Sequence, residues 1–257
     1  MKKIILSLII MVLTYQLNLY SQDAREIAEK ASDIIEFESM EMTSMLKIFD
    51  NKGNVRERKV VVATKKFGEA TKTMIRFISP PDVKGTAMLI FDYEDKPDDM
   101  WIFLPSLRRT RRIVSSEKGK SFMGSEFTNA DMSKPDLNDF TFKIVGSAEA
   151  DNNECWKVES VCKDKTIEEE NGFSKKIAFI GKNNYLTHKV EYYDPEGELH
   201  KIMTIGNYRK QSNGKYFAFL MKIENLHNQR KSSMIVEQFQ LGSKLSEDNF
   251  STISLEK

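Results

Sequence analysis

Residues Tyr185–Tyr208 read YLTHKVEYYDPEGELHKIMTIGNY, two alternating runs joined by a short turn at Pro195–Gly197. Apolar and charged side chains that alternate on both sides of a Pro/Gly turn are the mark of an antiparallel β-hairpin. The neighbouring segments alternate in the same way, with NDFTFKIVGS, ECWKVESVCK and SKKIAFIGK before it and KYFAFLMKIENL and SSMIVEQFQL after it. Each is bounded by Gly, Asn, Asp or Pro. In the first half, SMEMTSMLKIF puts Met40, Met42, Leu46 and Ile48 on one face, and the turn Asn51-Lys52-Gly53 leads into VRERKVVVATKKF. ATKTMIRFIS, TAMLIFDY and MWIFLP follow. Sequential hairpins of this kind build a meander, so the expectation is a mainly β fold. It is a single strongly curved antiparallel sheet of about eleven strands, either a closed barrel or an open half-barrel.

Helices are few. DAREIAEKASDIIEFE places Ala24, Ile27, Ala28, Ala31, Ile34 and Ile35 on one stripe, an amphipathic helix ahead of the first strand. Before it, Lys2 and Lys3 precede the apolar run Ile4–Leu13, the pattern of a secretory signal peptide over residues 1–22. The run is shorter than the roughly 20 residues of a membrane-spanning helix. With no cysteine before Cys155 there is nothing to lipidate at the cleavage point, so the expected product is a soluble periplasmic chain, 23–257, forming one domain. No stable transmembrane anchor is expected once the signal is gone.

Charge excludes one class of partner. The chain has 39 Lys and Arg against 38 Asp and Glu, and loss of Lys2 and Lys3 turns the balance from +1 to −1. Bulk charge therefore predicts no nucleic-acid partner. Cys155 and Cys162 read as lying on one strand, facing opposite ways about 23 Å apart, too far to bridge. Two free thiols are expected.

Catalytic patterns are missing. His188, His200 and His227 form no H-E-x-x-H and no His/Cys cluster at zinc spacing. No G-x-S-x-G is present. Gly119 and Gly124 have phosphate-loop spacing, but Ser125 stands where that loop requires lysine. No catalytic residue, metal or cofactor is assigned, and an enzyme is not expected.

The most distinctive stretch is Trp101–Ser133, WIFLPSLRRTRRIVSSEKGKSFMGSEFTNADMS. Extended geometry puts Arg109 and Arg111 on one side, Arg108 and Arg112 on the other. A buried guanidinium needs a carboxylate or several carbonyls, and Glu126 and Asp131 are the nearest candidates downstream. The stretch reads either as an Arg–carboxylate clamp holding a loop to the sheet or as an exposed site for anionic headgroups. Strands such as TAMLIFDY are apolar on both sides, which implies cover on both faces: ordinary core, or an apolar cavity on the concave one.

The run Trp101–Ile113, the motif Ser121–Thr128, Asp131 and Pro80–Leu89 (PPDVKGTAML) together resemble the outer-membrane lipoprotein-sorting family, relatives of the LolA and LolB carriers. The resemblance implies an unclosed β-barrel with helices over its opening. Its apolar concave face would hold acyl chains of a lipoprotein or another lipid during transfer toward the outer membrane. The side chains expected to line that cavity are Phe77, Leu89, Phe91, Trp101, Phe103, Phe217 and Phe219, with Arg109 and Arg111 near the mouth. An inner-membrane exporter is implied as a partner. Two other functions compete: an accessory subunit of an envelope exporter that docks through the arginine loop, and a hydrolase of envelope glycans or lipids.

Overall fold

The structure, a computed structural model, describes residues 23–94 and 96–256. The signal-peptide expectation for residues 1–22 lies outside them. Residues 23–33 form helix α1. Among the described residues, thirteen antiparallel strands follow in one sheet: β1 (Ser39–Phe49), β2 (Val55–Phe67), β3 (Ala70–Ser79), β4 (Ala87–Tyr93), β5 (Asp99–Leu104), β6 (Arg109–Ile113), β7 (Phe140–Ala150), β8 (Asn153–Cys162), β9 (Lys175–Gly181), β10 (Thr187–Tyr193), β11 (Leu199–Lys210), β12 (Tyr216–Asn225) and β13 (Lys231–Leu241). Two short helices, α2 (Ser115–Lys118) and α3 (Lys165–Asn171), interrupt the series.

The strand order is β6-β5-β4-β3-β2-β1-β13-β12-β11-β10-β9-β8-β7. The first strand pairs with the last, Leu46 opposite Met234, so the centre of the sheet joins the two ends of the chain. Strands β6 and β7, adjacent in sequence, become the two opposite edges. This corrects the expected architecture: one open sheet of thirteen strands replaces a strongly curved half-barrel of about eleven. The physical reason lies in how the faces are buried. Residues 114–139, between β6 and β7, do not make a hairpin that would bring the edges together; they lie over one face with apolar side chains of their own. Cover comes from chain laid on the sheet, and strong curling of the sheet is not what buries its apolar residues. The arginine stretch read as a loop is itself a strand, β6, because an edge strand is held by its backbone ladder to β5 and needs no apolar alternation.

Alternation assigns the two faces. The front face carries Leu46, Ile48, Val60, Phe77, Ile90, Met100, Ile113, Met203, Ile223 and Met234, buried under Phe122 and Phe127 of the 114–139 segment. Toward β7, α1 places Ala24, Ile27 and Ala31 on Phe140, Phe142, Val158 and Ile180. On the back face, Met74, Ala87 and Leu89 lie under Phe250 and Leu255 of the C-terminal residues 242–256. Cys155 and Cys162 are both buried and free, packed in the back and front clusters respectively. Burial pushes the Cys162 thiol up to about 12, so it stays protonated and unreactive.

Candidate functional site

The segment that covers the front face is built from a small hairpin. Ser121 and Thr128 form an isolated bridge, and the Phe122 amide donates to the Phe127 carbonyl at 2.8 Å. Between them the chain reverses through Met123 (φ 51) and Gly124 (φ 75), the left-handed region that glycine tolerates without strain. Ser125 closes the turn, its hydroxyl donating to the Phe122 carbonyl at 2.7 Å. The reversal aims Phe122 and Phe127 at the sheet; both are fully buried, Phe122 with its ring 5.7 Å from that of Phe77. Gly119 supplies the entry: a Cβ there would stand 2.4 Å from the Glu169 carbonyl oxygen and 2.8 Å from the Gly172 amide, so only glycine lets the segment cross α3 this closely. Lys118 reaches Glu170 at 3.6 Å across the same contact.

Polar groups latch the plug. The Glu126 carboxylate is buried; it accepts from Asn225 Nδ2 at 2.8 Å and pairs with Arg230 Nε at 3.2 Å. The Glu126 amide donates to Ser232 Oγ at 2.9 Å, and its carbonyl accepts from Lys201 Nζ at 3.0 Å. Arg58 donates to the Met123 carbonyl and Arg230 Nη2 to the Gly124 carbonyl. Asp131 Oδ2 accepts from the Thr128 amide at 2.7 Å. Burial lowers the Lys201 ammonium below its ordinary range, against the opposing pull of Glu126 and Asp131. Burial raises the Tyr192 phenol well above its own. The space left among Thr128, Asp131, Tyr192 and Lys201 is about 10 Å³. That is room for one water and far too little for an acyl chain.

The residues expected to line one cavity fall in three places. Phe77 lies on the front face under Phe122. Phe217 and Phe219 share the front face further along, in an aromatic group with Phe239 and with Phe37, which follows α1; Phe37 stands edge-on to Phe217 at 5.7 Å and to Phe239 at 5.5 Å. Leu89, Phe91, Trp101 and Phe103 lie on the back face, packed with Phe250 and Leu255. An open groove of about 650 Å³ adjoins them, lined by Val61, Ala63, Met74, Arg76 and Leu245 among others.

The arginines form the β6 edge. Arg111 Nη1 meets Glu117 Oε2 at 2.6 Å, and Arg112 pairs with Asp99 of the neighbouring strand. Glu126 and Asp131 are engaged elsewhere, as above. Arg108 takes a left-handed conformation (φ 47) at the end of the 3-10 turn Pro105–Leu107, and Arg109 opens the strand; both are exposed and, among the described residues, in no ion pair. The histidines divide. His188 is buried, its Nδ1 3.5 Å from Asp151 Oδ2. His200 stacks on His227 at 4.8 Å, and His227 approaches Asp194 and Glu198 so that one ligand atom from each lies within 4.8 Å of the others. Those three could hold a divalent cation. Sequence spacing does not show this set, because His227 comes from the turn after β12 and its partners from the turn after β10. The latch residues Asn225, Arg230, Ser232 and Lys201 were equally hidden, each ordinary in its own strand or turn until the register of β11–β13 lines them up beneath Glu126.

A family model described as "Uncharacterized protein" matches residues 69–257. No curated protein matches the chain. Among solved structures, a domain named for outer membrane lipoprotein sorting, from Vibrio parahaemolyticus, is 26% identical with a TM-score of 0.85, covering 92% of this chain and 100% of that one. A DUF1329 family protein from Desulfovibrio piger is 24% identical with a TM-score of 0.84, covering 92% and 99%, and shares the fold. So does a LolA superfamily protein from Nitrosomonas europaea, at 19% identity and a TM-score of 0.70, covering 90% and 98%. Among the described residues no helix is long and apolar enough to cross a membrane. The family model spans most of the chain, which therefore belongs to that family, and over about nine-tenths of its length the chain shares its fold with the lipoprotein-sorting domain and the LolA superfamily protein.

Proposed function

We propose that this protein is a non-catalytic carrier of the cell envelope that shields the acyl chains of a lipoprotein or lipid on the front face of its sheet. The observation that carries the reading is the plug: a hairpin held by two phenylalanines and a ring of hydrogen bonds, over a floor that is apolar from β6 to β10. If residues 119–133 withdraw, Phe77, Met100, Ile223 and Met234 face a continuous apolar trough, extended by Phe217 and Phe219. Exposing two buried phenylalanines costs about 3–5 kcal/mol each, by analogy with their truncation. A chain of roughly 14 methylenes returns about 11 kcal/mol at about 0.8 kcal/mol per CH₂. The exchange is near balance, which is what loading and release both require. Leu89, Phe91, Trp101 and Phe103, on the other face, take no part in this reading.

Fluorescent fatty-acid uptake, with native mass spectrometry of the purified chain, tests it. Glu126→Gln keeps the shape of the latch and removes its charge pair with Arg230, and should raise uptake several-fold over the natural chain. Absence of uptake by both, at saturating fatty acid and with the fold intact by circular dichroism, overturns the proposal.

A further inference from the structure

Two edges end the sheet, and they are protected differently. β7 carries a register break between Ile144 and Gly146, and Gly146 has φ 145; a bulge of this kind twists an edge away from further pairing. β6 has no such break. Its register runs evenly from Met100 opposite Ile113 to Leu104 opposite Arg109, and among the described residues nothing but β5 hydrogen-bonds the backbone of 109–113. Its side chains are what distinguish it. Arg109 and Arg111 point to the front and Thr110 and Arg112 to the back, as fixed by pairing with Leu104, Ile102, Phe103 and Trp101. Arg111 and Arg112 are held along the sheet by Glu117 and Asp99. Among the described residues Arg108 and Arg109 pair with no carboxylate, and Leu107 and Val114, 66% and 53% exposed, bracket the strand.

We propose that β6 accepts an acidic extended segment of a partner protein as an additional antiparallel strand. Backbone pairing on an open edge supplies affinity, and the side chains select the partner. A second copy of this chain is a poor occupant, since β6 against β6 sets guanidinium opposite guanidinium, and like charges directly opposite are destabilising. The charge that repels a basic strand draws an acidic one, and this difference gives the edge its specificity. The matching segment spans about five residues, with carboxylates at alternate positions so that they share the front side with Arg109 and Arg111 and meet the unpaired Arg109. This does not rest on the carrier reading, because the edge is outside the plug and needs no lipid.

The probe is a nine-residue peptide of alternating glutamate and valine, added to the full chain and followed by fluorescence anisotropy and amide hydrogen exchange. Binding should protect the amides of 109–113, weaken with added salt, and fall at least tenfold in the chain carrying Arg108→Glu and Arg109→Glu. Two N-methylated peptides separate backbone pairing from charge attraction. Methylating the amides of one parity should abolish binding, and methylating the other should spare it. Equal binding of both methylated peptides, protection confined to other segments, or no binding of the parent peptide each overturns the proposal. Binding to phosphatidylglycerol vesicles through the same arginines without peptide binding also overturns it and assigns the strand to a lipid surface.

Discussion

His188 and Asp92 show opposite faces of the same physics. His188 is 5% exposed with neither ring nitrogen in a hydrogen bond, and burial lowers its pKa despite nearby Asp151. The unfolded chain binds a proton here more readily than the folded one, so stability falls as pH drops below about 6.5. His188→Phe removes that proton linkage. Its urea midpoint should lose less between pH 7 and pH 5 than the natural chain's, and an unchanged pH slope would count against a neutral buried imidazole. Asp92 is the reverse case: burial, with Asp98 adding to it, raises the carboxyl to about 6, while the Lys134 amide bond works the other way. At pH 8 the folded state holds a desolvated carboxylate, and the penalty disappears as pH falls through 6 toward 4. Asp92→Asn keeps an acceptor for the Lys134 amide and should stabilise by about 1–2 kcal/mol at pH 8, worth a few degrees of Tm, with no gain at pH 4. Neither environment is legible in sequence, where His188 is one polar residue in an alternating strand. The arginine run stands out in the sequence, but proximity in sequence suggested Glu126 and Asp131 as partners. Strand pairing brought Asp99 to Arg112 instead, and the short helix after β6 brought Glu117 to Arg111.

At the scale of elements, the strands followed directly from alternation and turn residues, because a half-buried strand writes its two faces into the sequence. The plug did not. S-F-M-G-S-E-F-T has no period, and its meaning lies in what it touches: Phe77 below, Ser232 and Asn225 beside it, Gly172 behind it. Glu126→Ala leaves Asn225 and Arg230 without their carboxylate. Breaking a buried pair costs about 3–5 kcal/mol, less here because the Arg230 side chain is one-third exposed. The expected result is hydrogen exchange accelerated at least tenfold in residues 119–133 while the central strands keep their protection. Uniform acceleration through β1 and β13 would mean that the plug is part of the global folding unit and has no opening of its own.

Across the whole molecule, one front-face cluster contains residues from β1–β6 and from β10–β13, and this shared core ties the two halves of the sheet together although each also has a smaller cluster of its own. The two tryptophans report on the halves separately, Trp101 on β5 and Trp156 on β8. Single-tryptophan chains, Trp101→Phe and Trp156→Phe, should unfold in urea in single transitions, each unchanged in midpoint between fluorescence and circular dichroism. A fluorescence midpoint displaced from the far-ultraviolet one in either chain would show two folding units. The meander was legible in the sequence and the family resemblance implied that it stays unclosed, whereas the absence of strong curvature was not legible. Local alternation predicts that strands pair and leaves undetermined whether consecutive strands β6 and β7 meet or part.

The pairing of β1 with β13 also dictates when the fold can finish. Some 190 residues separate Leu46 from its partner Met234, and the entropy of closing so long a loop must be met before the contact rewards it. On a ribosome or emerging from a translocation channel, the chain can form its early hairpins but cannot zip its middle until β13 has arrived. Until then β1 is itself a bare edge, so the vulnerable moment for aggregation lasts from the emergence of β1 to that of β13.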